Sequence, residues 1–117
     1  MAQSIVKQKS YDFALKIIKF CAMLRNQKHF EISSQLLRSG TSIGANVEEA
    51  LAGRSRKDFF AKMSIASKEA RESYYWLRLL KESQLANIGV DDQIEDIRNI
   101  INVLTAIVKT TRQSLKG

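Results

Sequence analysis

A run of small and polar residues, RSGTSIGANVEEAL at positions 38–51, is the first stretch that could do chemistry. Serine, threonine and glycine at this density occur in loops that cradle phosphate groups. Such a loop follows a β-strand and usually carries a Lys-Ser or Lys-Thr pair, and both are absent here. Apolar residues instead recur at helical spacing through the run, which predicts a helix. A polar stripe follows its edge at steps of four and three residues: Gln35, Ser39, Ser42, Asn46 and Glu49.

The glycines in this helix bear on what the stripe does. Gly40 and Gly44 each cost about 1 kcal/mol relative to Ala in a helix interior, so we expect them to permit close approach of a neighbouring backbone. We therefore predict that Asn46, with Ser42 and Glu49, makes buried hydrogen bonds in a helix–helix contact. The alternative is a ligand site, in which the polar stripe holds a small molecule inside the bundle.

Two carboxylates of the predicted third helix lie among apolar residues. Glu69 and Glu72 share a heptad stripe with Ile65, Trp76 and Leu79. A carboxylate that is partly removed from water needs an arginine or several hydrogen-bond donors. The candidate partners are Arg38, Arg71, Arg78 and Asn46. The alternative is an exposed stripe of ordinary surface acids, because folded proteins leave many apolar residues exposed.

The chain is basic, with 19 Lys and Arg against 12 Asp and Glu and a net charge of +7. Residues 1–28 hold six basic residues against the single Asp12, and a second basic cluster lies at the predicted turn between the second and third helices. Such clusters bind phosphate backbones without sequence preference. No base-reading motif is present, and a surplus of lysine is also common on soluble surfaces. The candidate nucleic-acid-binding residues are Lys9, Lys16, Lys19, Arg54, Arg56, Lys57 and Lys62.

The residue types that carry catalysis are sparse. His29 is the single histidine, and Cys21 is the single cysteine and falls on an apolar helix stripe. A di-iron bundle needs Glu-x-x-His pairs, and zinc needs several Cys or His ligands. We therefore predict a protein that is not an enzyme and that has no metal and no cofactor.

The elements that position these residues are predicted to be four helices. The chain has no proline and only five glycines, so helix breakers are rare. The helices are expected at about 4–25, 30–51, 55–85 and 92–115. Ser55 is a predicted N-cap, Gly53 a left-handed C-terminal residue, and Asp92 with Glu95 a capping box. Long helices with short connections predict one domain over 1–117, an all-α antiparallel up-down-up-down four-helix bundle.

Two helices have unusual apolar faces. The first carries a core stripe of Phe13, Ile17, Phe20, Cys21 and Leu24 and a second apolar face of Tyr11, Leu15, Ile18 and Ala22. The second face predicts contact between subunits, and a thick core is the alternative. In the fourth helix the coiled-coil-like spacing is carried by Ile94, Ile97, Ile101, Leu104, Val108, Thr111 and Leu115, with Ile100 and Ile107 broadening it.

The segments that carry these features resemble one protein family. The signature lies in Gln35-Leu36, Arg38-Ser39, Ser42-Ile43 and Asn46–Ala50, with Lys57–Phe60 and Lys68–Leu77 fitting the family's third helix. On these residues the chain resembles the 23S rRNA intervening-sequence proteins, also called four-helix bundle proteins. Ser42, Asn46 and Glu49 match the family's Ser, Asn and Glu. Gly44, Glu48 and Ala50 depart from its usual Pro, Ala and Gly.

The resemblance implies a bundle that assembles into a homo-oligomeric ring, commonly a pentamer. A similar protein is the accessory protein of diversity-generating retroelements, which binds nucleic acid and a reverse transcriptase. The expected function is therefore a non-catalytic, oligomeric, sequence-nonspecific nucleic-acid-binding adaptor, with RNA, DNA or another protein such as a reverse transcriptase as partner. The alternative is a structural or protein-binding oligomer with no role in nucleic-acid binding.

Localisation is predicted from what the chain lacks. Its start has no apolar segment typical of a signal peptide, and no apolar run approaches the roughly 20 residues of a membrane span. A single cysteine suits a reducing compartment. We expect a cytoplasmic protein with no membrane partner.

Overall fold

The computed structural model of the protein describes residues 1–117 and has four helices. They are α1 (Ala2–Asn26), α2 (Phe30–Ala52), α3 (Arg56–Ser83) and α4 (Asp91–Lys116). Each helix packs on the two beside it, and α1 closes the arrangement against α4. The result is the predicted all-α four-helix bundle, 49 Å long and about 22 by 21 Å in cross-section. None of these helices combines the length and the apolar character that crossing a membrane requires.

The helix ends follow local chemistry, and two predicted details were wrong. The Ser55 hydroxyl caps α3 as predicted, accepting a hydrogen bond from the Asp58 backbone N–H at 3.1 Å. Gly53 is extended, with φ −66°, instead of left-handed. Val90 precedes α4 with no side-chain cap, so the predicted Asp92–Glu95 capping box does not form at that end. The left-handed residues after helix ends are instead Lys28, which follows α1 at φ 67°, and Gln84, which follows α3 at φ 55°.

The core is a single cluster of 22 buried apolar side chains drawn from all four helices and from Val90. The predicted core stripe of α1 is buried throughout. In α4 the buried face is rotated from the prediction, because Ile100 and Ile107 are buried while Ile101 and Val108 are partly exposed. Leu115 lies beyond the core and is 40% exposed.

The packing of α2 against α1 explains the small residues of α2. A Cβ at Gly40 would lie 2.9 Å from the Ile17 Cγ2 atom, so the neighbouring side chain occupies the space that any larger residue needs. Ser33 is buried in the same contact and donates a hydrogen bond to the Cys21 carbonyl at 3.1 Å. The loop-like composition of this run therefore reflects a thin helix–helix contact.

Candidate nucleic-acid interface

The predicted basic cluster lies at one end of the bundle. The turn between α2 and α3 carries Arg54, Arg56 and Lys57, all of them exposed. Arg56 lines a cavity of about 270 Å³ together with Met1, with Ala2 and Gln3 of α1, and with Ile107 and Thr111 of α4. The start of α1 and the last turns of α4 therefore meet this turn. We call these three segments together the basic end.

The basic end also includes cations of α4 that do not form a cluster in the sequence. Arg112 of α4 reaches α3, where its guanidinium lies 5.6 Å from the centre of the Phe60 ring, and Lys109 and Lys116 lie within a turn or so of it along α4. No Asp or Glu occurs after Asp96 in the chain. The signal was available, because antiparallel order brings the end of the fourth helix beside the turn between the second and third. Clusters along the sequence alone did not reveal it.

Two of the predicted phosphate-binding residues are engaged in ion pairs. The Lys62 Nζ atom lies 2.7 Å from a Glu49 carboxylate oxygen, and the Lys16 Nζ atom lies 2.8 Å from Asp96. The hydrogen bond and charge of Asp96 raise the pKa of Lys16 above its ordinary value. Both lysines bridge helices, so they are weaker candidates for phosphate than the residues of the turn. Lys9 and Lys19 are exposed on α1, and Lys9 shares a groove with Asp12, Lys16 and Asp96.

The carboxylates of α3 are bound by Arg38 of α2, one of the four predicted partners. The Arg38 Nη1 atom donates to both Glu69 oxygens at 3.2 and 3.3 Å, and Nη2 donates to Glu72. Gln35 accepts a hydrogen bond from the same guanidinium, and the Trp76 indole donates to Glu72 at 3.0 Å. The Glu69 side chain is only 18% exposed. This cluster joins α2 to α3 and leaves no free positive charge, because one guanidinium is shared by two carboxylates.

The polar stripe of α2 divides into a buried and a surface part. Ser39 is buried and accepts a hydrogen bond from Ser73 of α3 at 2.8 Å. Asn46 is partly buried, and its amide donates to the Ser42 carbonyl of its own helix at 2.8 Å. The Ser42 hydroxyl likewise donates to the Arg38 carbonyl. The prediction that Asn46 makes a buried hydrogen bond between helices is therefore wrong within the protomer. The Ser39–Ser73 pair makes a buried hydrogen bond between α2 and α3 instead.

Apolar side chains remain exposed on two separate corners of the bundle. On α1, the predicted second face is solvent-exposed, with Tyr11, Leu15 and Ile18 at 47–55%. We call it the α1 outer face and include Ala22 in it. On α3, Ile65 and Leu79 are about 40% exposed on either side of the Arg38 cluster, and we call them, with Trp76, the α3 outer face. A thick core is excluded for the α1 face, because these side chains do not enter the core.

The reactive side chains lie apart from these surfaces. Cys21 is buried, and burial raises the pKa of its thiol to about 11. The thiolate that a nucleophile requires is thus disfavoured at neutral pH. No group of three or more His, Cys, Asp or Glu side chains is placed to hold a metal ion.

Comparison with known proteins gives two positive results. Residues 2–110 match the family model described as 23S rRNA-intervening sequence protein. The structure is similar to the crystal structure of a protein with unknown function from the S23 ribosomal protein family of Bacteroides thetaiotaomicron. The TM-score is 0.86 at 41% sequence identity, covering 93% of this chain and 99% of the other. Comparison with curated proteins gives no match.

Proposed function

The chain belongs to the 23S rRNA-intervening sequence protein family, and we propose that it is a non-catalytic, homo-oligomeric bundle that binds nucleic acid without sequence preference through its basic end. The observation that carries this proposal is the convergence at one end of exposed cations from the α2–α3 turn and from α4. Arg54, Arg56 and Lys57 have no carboxylate partner, whereas Arg38, Lys16 and Lys62 do.

The interaction rests on charge. The basic end, taken as residues 1–12, 44–64 and 103–117, holds nine of the Lys and Arg residues and four of the Asp and Glu residues. The rest of the chain is almost balanced, with ten basic and eight acidic residues. Phosphates are attracted to such an end by counterion release, whatever the base sequence. The sequence contains no base-reading motif, which favours nonspecific binding.

Association of subunits strengthens the binding. The α1 and α3 outer faces are different surfaces, so contact between the α1 face of one subunit and the α3 face of the next is head-to-tail. Head-to-tail contacts form a ring when the rotation between successive subunits closes and a filament when it does not, and the family resemblance suggests a ring of five subunits. Around an axis parallel to the helices, every basic end lies on the same side of the ring. Several weak phosphate-binding sites then act together as one multivalent site.

Binding is tested over a salt series with a mixed-sequence DNA duplex and a mixed-sequence RNA. The Arg54→Gln/Lys57→Gln variant should reduce the slope of log affinity against log salt by roughly 0.7 to 0.9 for each phosphate that the variant no longer neutralises. The matched control is Arg25→Gln/Lys28→Gln, which removes the same charge at the opposite end. Equal slopes for the two variants would move the site away from the basic end, and absence of binding at low salt would refute the proposal.

Association is tested by light scattering. The wild type should exceed the 13.3 kDa of one chain several-fold at micromolar concentration, and Leu15→Glu/Ile18→Glu should yield monomers. Both side chains are about half exposed, so the change should leave the protomer folded. Circular dichroism checks this. A monomeric wild type would refute association.

The second candidate is a structural or protein-binding oligomer with no nucleic-acid role. The exposed apolar α1 outer face favours it, since such a face serves contact with protein whether or not nucleic acid is present. It predicts the same oligomer in light scattering together with no retention of either nucleic acid at low salt. The pair of measurements thus separates the two candidates.

A further inference from the structure

Four arginines lie along the junction of α3 and α4, outside the basic cluster predicted from the sequence. Arg71 and Arg78 project from α3, and Arg98 and Arg112 from α4. None of them forms an ion pair in the protein, where the paired cations are Lys16, Arg38, Lys62 and Lys81. With Phe60, Tyr74 and Tyr75 of α3, we call these arginines the α3–α4 strip.

Aromatic rings position three of the four guanidinium groups of the strip. Arg98 donates to the Tyr74 hydroxyl at 3.1 and 3.3 Å and lies 5.5 Å from the ring centre. Arg78 lies over the same ring at 4.7 Å and 5.9 Å from the ring of Tyr75. Arg112 lies over Phe60 in the same way. The guanidinium groups are thus held against the surface, and their outer sides and donors are available.

Carboxylates are kept away from the part of the strip that contains Arg71 and Arg112. Glu69 and Glu72 of α3 are turned towards α2 by Arg38, and α4 has no acid after Asp96. Tyr74, Arg78 and Arg98 line a groove of about 730 Å³ between the helices together with Glu82, Asp91 and Glu95. The strip therefore runs from the basic end, at Arg112, to a groove of mixed charge that contains Arg78 and Arg98.

The dimensions of the strip suit a short stretch of one nucleic-acid strand. Phe60 and Tyr74 are 14 residues apart, about 21 Å along a helix. That length corresponds to roughly six nucleotides at the 3.4 Å spacing of one strand. Unpaired bases stack on aromatic rings and on arginine planes, whereas a duplex hides its base faces from the protein.

We propose that the α3–α4 strip binds single-stranded nucleic acid, with the arginines on the phosphates and unpaired bases stacked on Tyr75 and on the arginine–aromatic pairs. The Tyr75 side chain is 47% exposed and its ring centre lies 5.2 Å from that of Trp76, the only tryptophan of the chain. This inference rests on the proposed nucleic-acid binding and adds that single strands are preferred to duplexes.

The test compares a 20-nucleotide oligouridine, a 20-nucleotide oligothymidine and a mixed-sequence 20-base-pair duplex at one salt concentration. The wild type should bind a single strand at least about tenfold more tightly than the duplex. The Tyr75→Leu/Arg98→Gln variant should lose about 5- to 100-fold affinity for the single strand, the range expected for stacking of one or two bases. Its affinity for the duplex should fall by less than threefold.

The matched control is Phe30→Leu/Arg25→Gln. Arg25 lies 5.4 Å from the ring centre of Phe30, so this pair has the same chemistry on the other side of the bundle. The control should bind all three probes as the wild type does. Equal wild-type affinity for single strand and duplex, or equal losses in the two variants, would overturn the inference while leaving the proposed function in place. Absence of binding to every probe would overturn both. The uridine and thymidine arms distinguish RNA from DNA.

Discussion

The surroundings of α2 and the α3–α4 strip place polar and charged groups in opposite ways. Around α2, Arg38 is held between two carboxylates, and Ser39 and Ser73 satisfy each other inside the bundle. Along the strip, arginines lie on aromatic rings and hydroxyl groups, with no carboxylate partner. Groups of the first kind stabilise the protomer and have little left to offer a partner. Groups of the second kind contribute little to folding and keep their charge available.

The largest expected effect concerns the burial of Cys21 against α2. Its pKa is raised from 9.0 to about 11, so between these values the unfolded chain loses the thiol proton while the folded protein keeps it. The unfolded state then binds fewer protons, and stability falls as the pH rises. The loss specific to Cys21 should reach about 2 to 3 kcal/mol by pH 11.

Denaturant unfolding at pH 8 and at pH 11 measures this loss, with Cys21→Ala as the control. All other titratable groups are common to both proteins, so their contributions cancel in the difference between the two pH dependences. The variant should be less stable at pH 8 and should lose less stability on going to pH 11. Identical losses would show that the thiol is as solvated as in the unfolded chain.

A second prediction contrasts the arginines of the two regions directly. Arg38→Leu leaves Glu69 and Glu72 without their cation in a partly buried setting, and should destabilise the protein by about 2 kcal/mol. Arg98→Leu removes an arginine from the strip and should change stability by no more than about 0.5 kcal/mol. Chemical denaturation of the two variants measures both values. Equal losses of stability in the two variants would contradict the distinction between an arginine that stabilises the protomer and one that is free to bind a partner.

The Arg38 cluster shows how much of a contact between two helices can be predicted from the sequence. Heptad spacing places Glu69 and Glu72 among apolar residues. A partly buried carboxylate needs a partner, and this requirement gives Arg38 as one of four candidates. Spacing along one helix does not reveal how the neighbouring helix is rotated about its own axis. That rotation decides which of the candidates reaches the carboxylates. The same limit explains why the sequence did not predict which of Ile100 and Ile101 is buried. A rotation of α4 by part of a turn decides between them.

The basic end and the strip show a different limit. Arg54, Arg56 and Lys57 were found because they are consecutive or nearly so. Arg98 and Arg112 become neighbours of α3 only after the antiparallel order is applied, although that order had itself been predicted. The arginine–aromatic contacts of the strip required side-chain positions.

A third prediction tests the close contact between α1 and α2. Gly40→Ala gains about 1 kcal/mol of helix propensity, but its Cβ would lie 2.9 Å from a methyl group of the fully buried Ile17. Overpacking of this kind costs about 1–3 kcal/mol, so a net loss of about 1 kcal/mol is expected. Gly44→Ala meets Ser10 at an ordinary 3.5 Å and should stabilise the protein by up to about 1 kcal/mol. Thermal melts that rank the two variants in the opposite order would contradict the close contact at Gly40.

The smallest expected effect is at Asn46, on the outer edge of the α2 region. Its amide donates to the Ser42 carbonyl, a group that the helix backbone can satisfy without it, and the side chain is only partly buried. Asn46→Leu therefore strands no partner and should change the stability of the protomer by no more than about 0.5 kcal/mol. Ser73→Ala is the matched comparison, because it removes a buried hydroxyl that donates to Ser39, and it should cost about 1 kcal/mol. Melts should be recorded in the monomeric Leu15→Glu/Ile18→Glu background, so that contacts between subunits do not enter. A destabilisation at Asn46 equal to that at Ser73 would place this amide with the buried, internally satisfied groups of the α2 region after all.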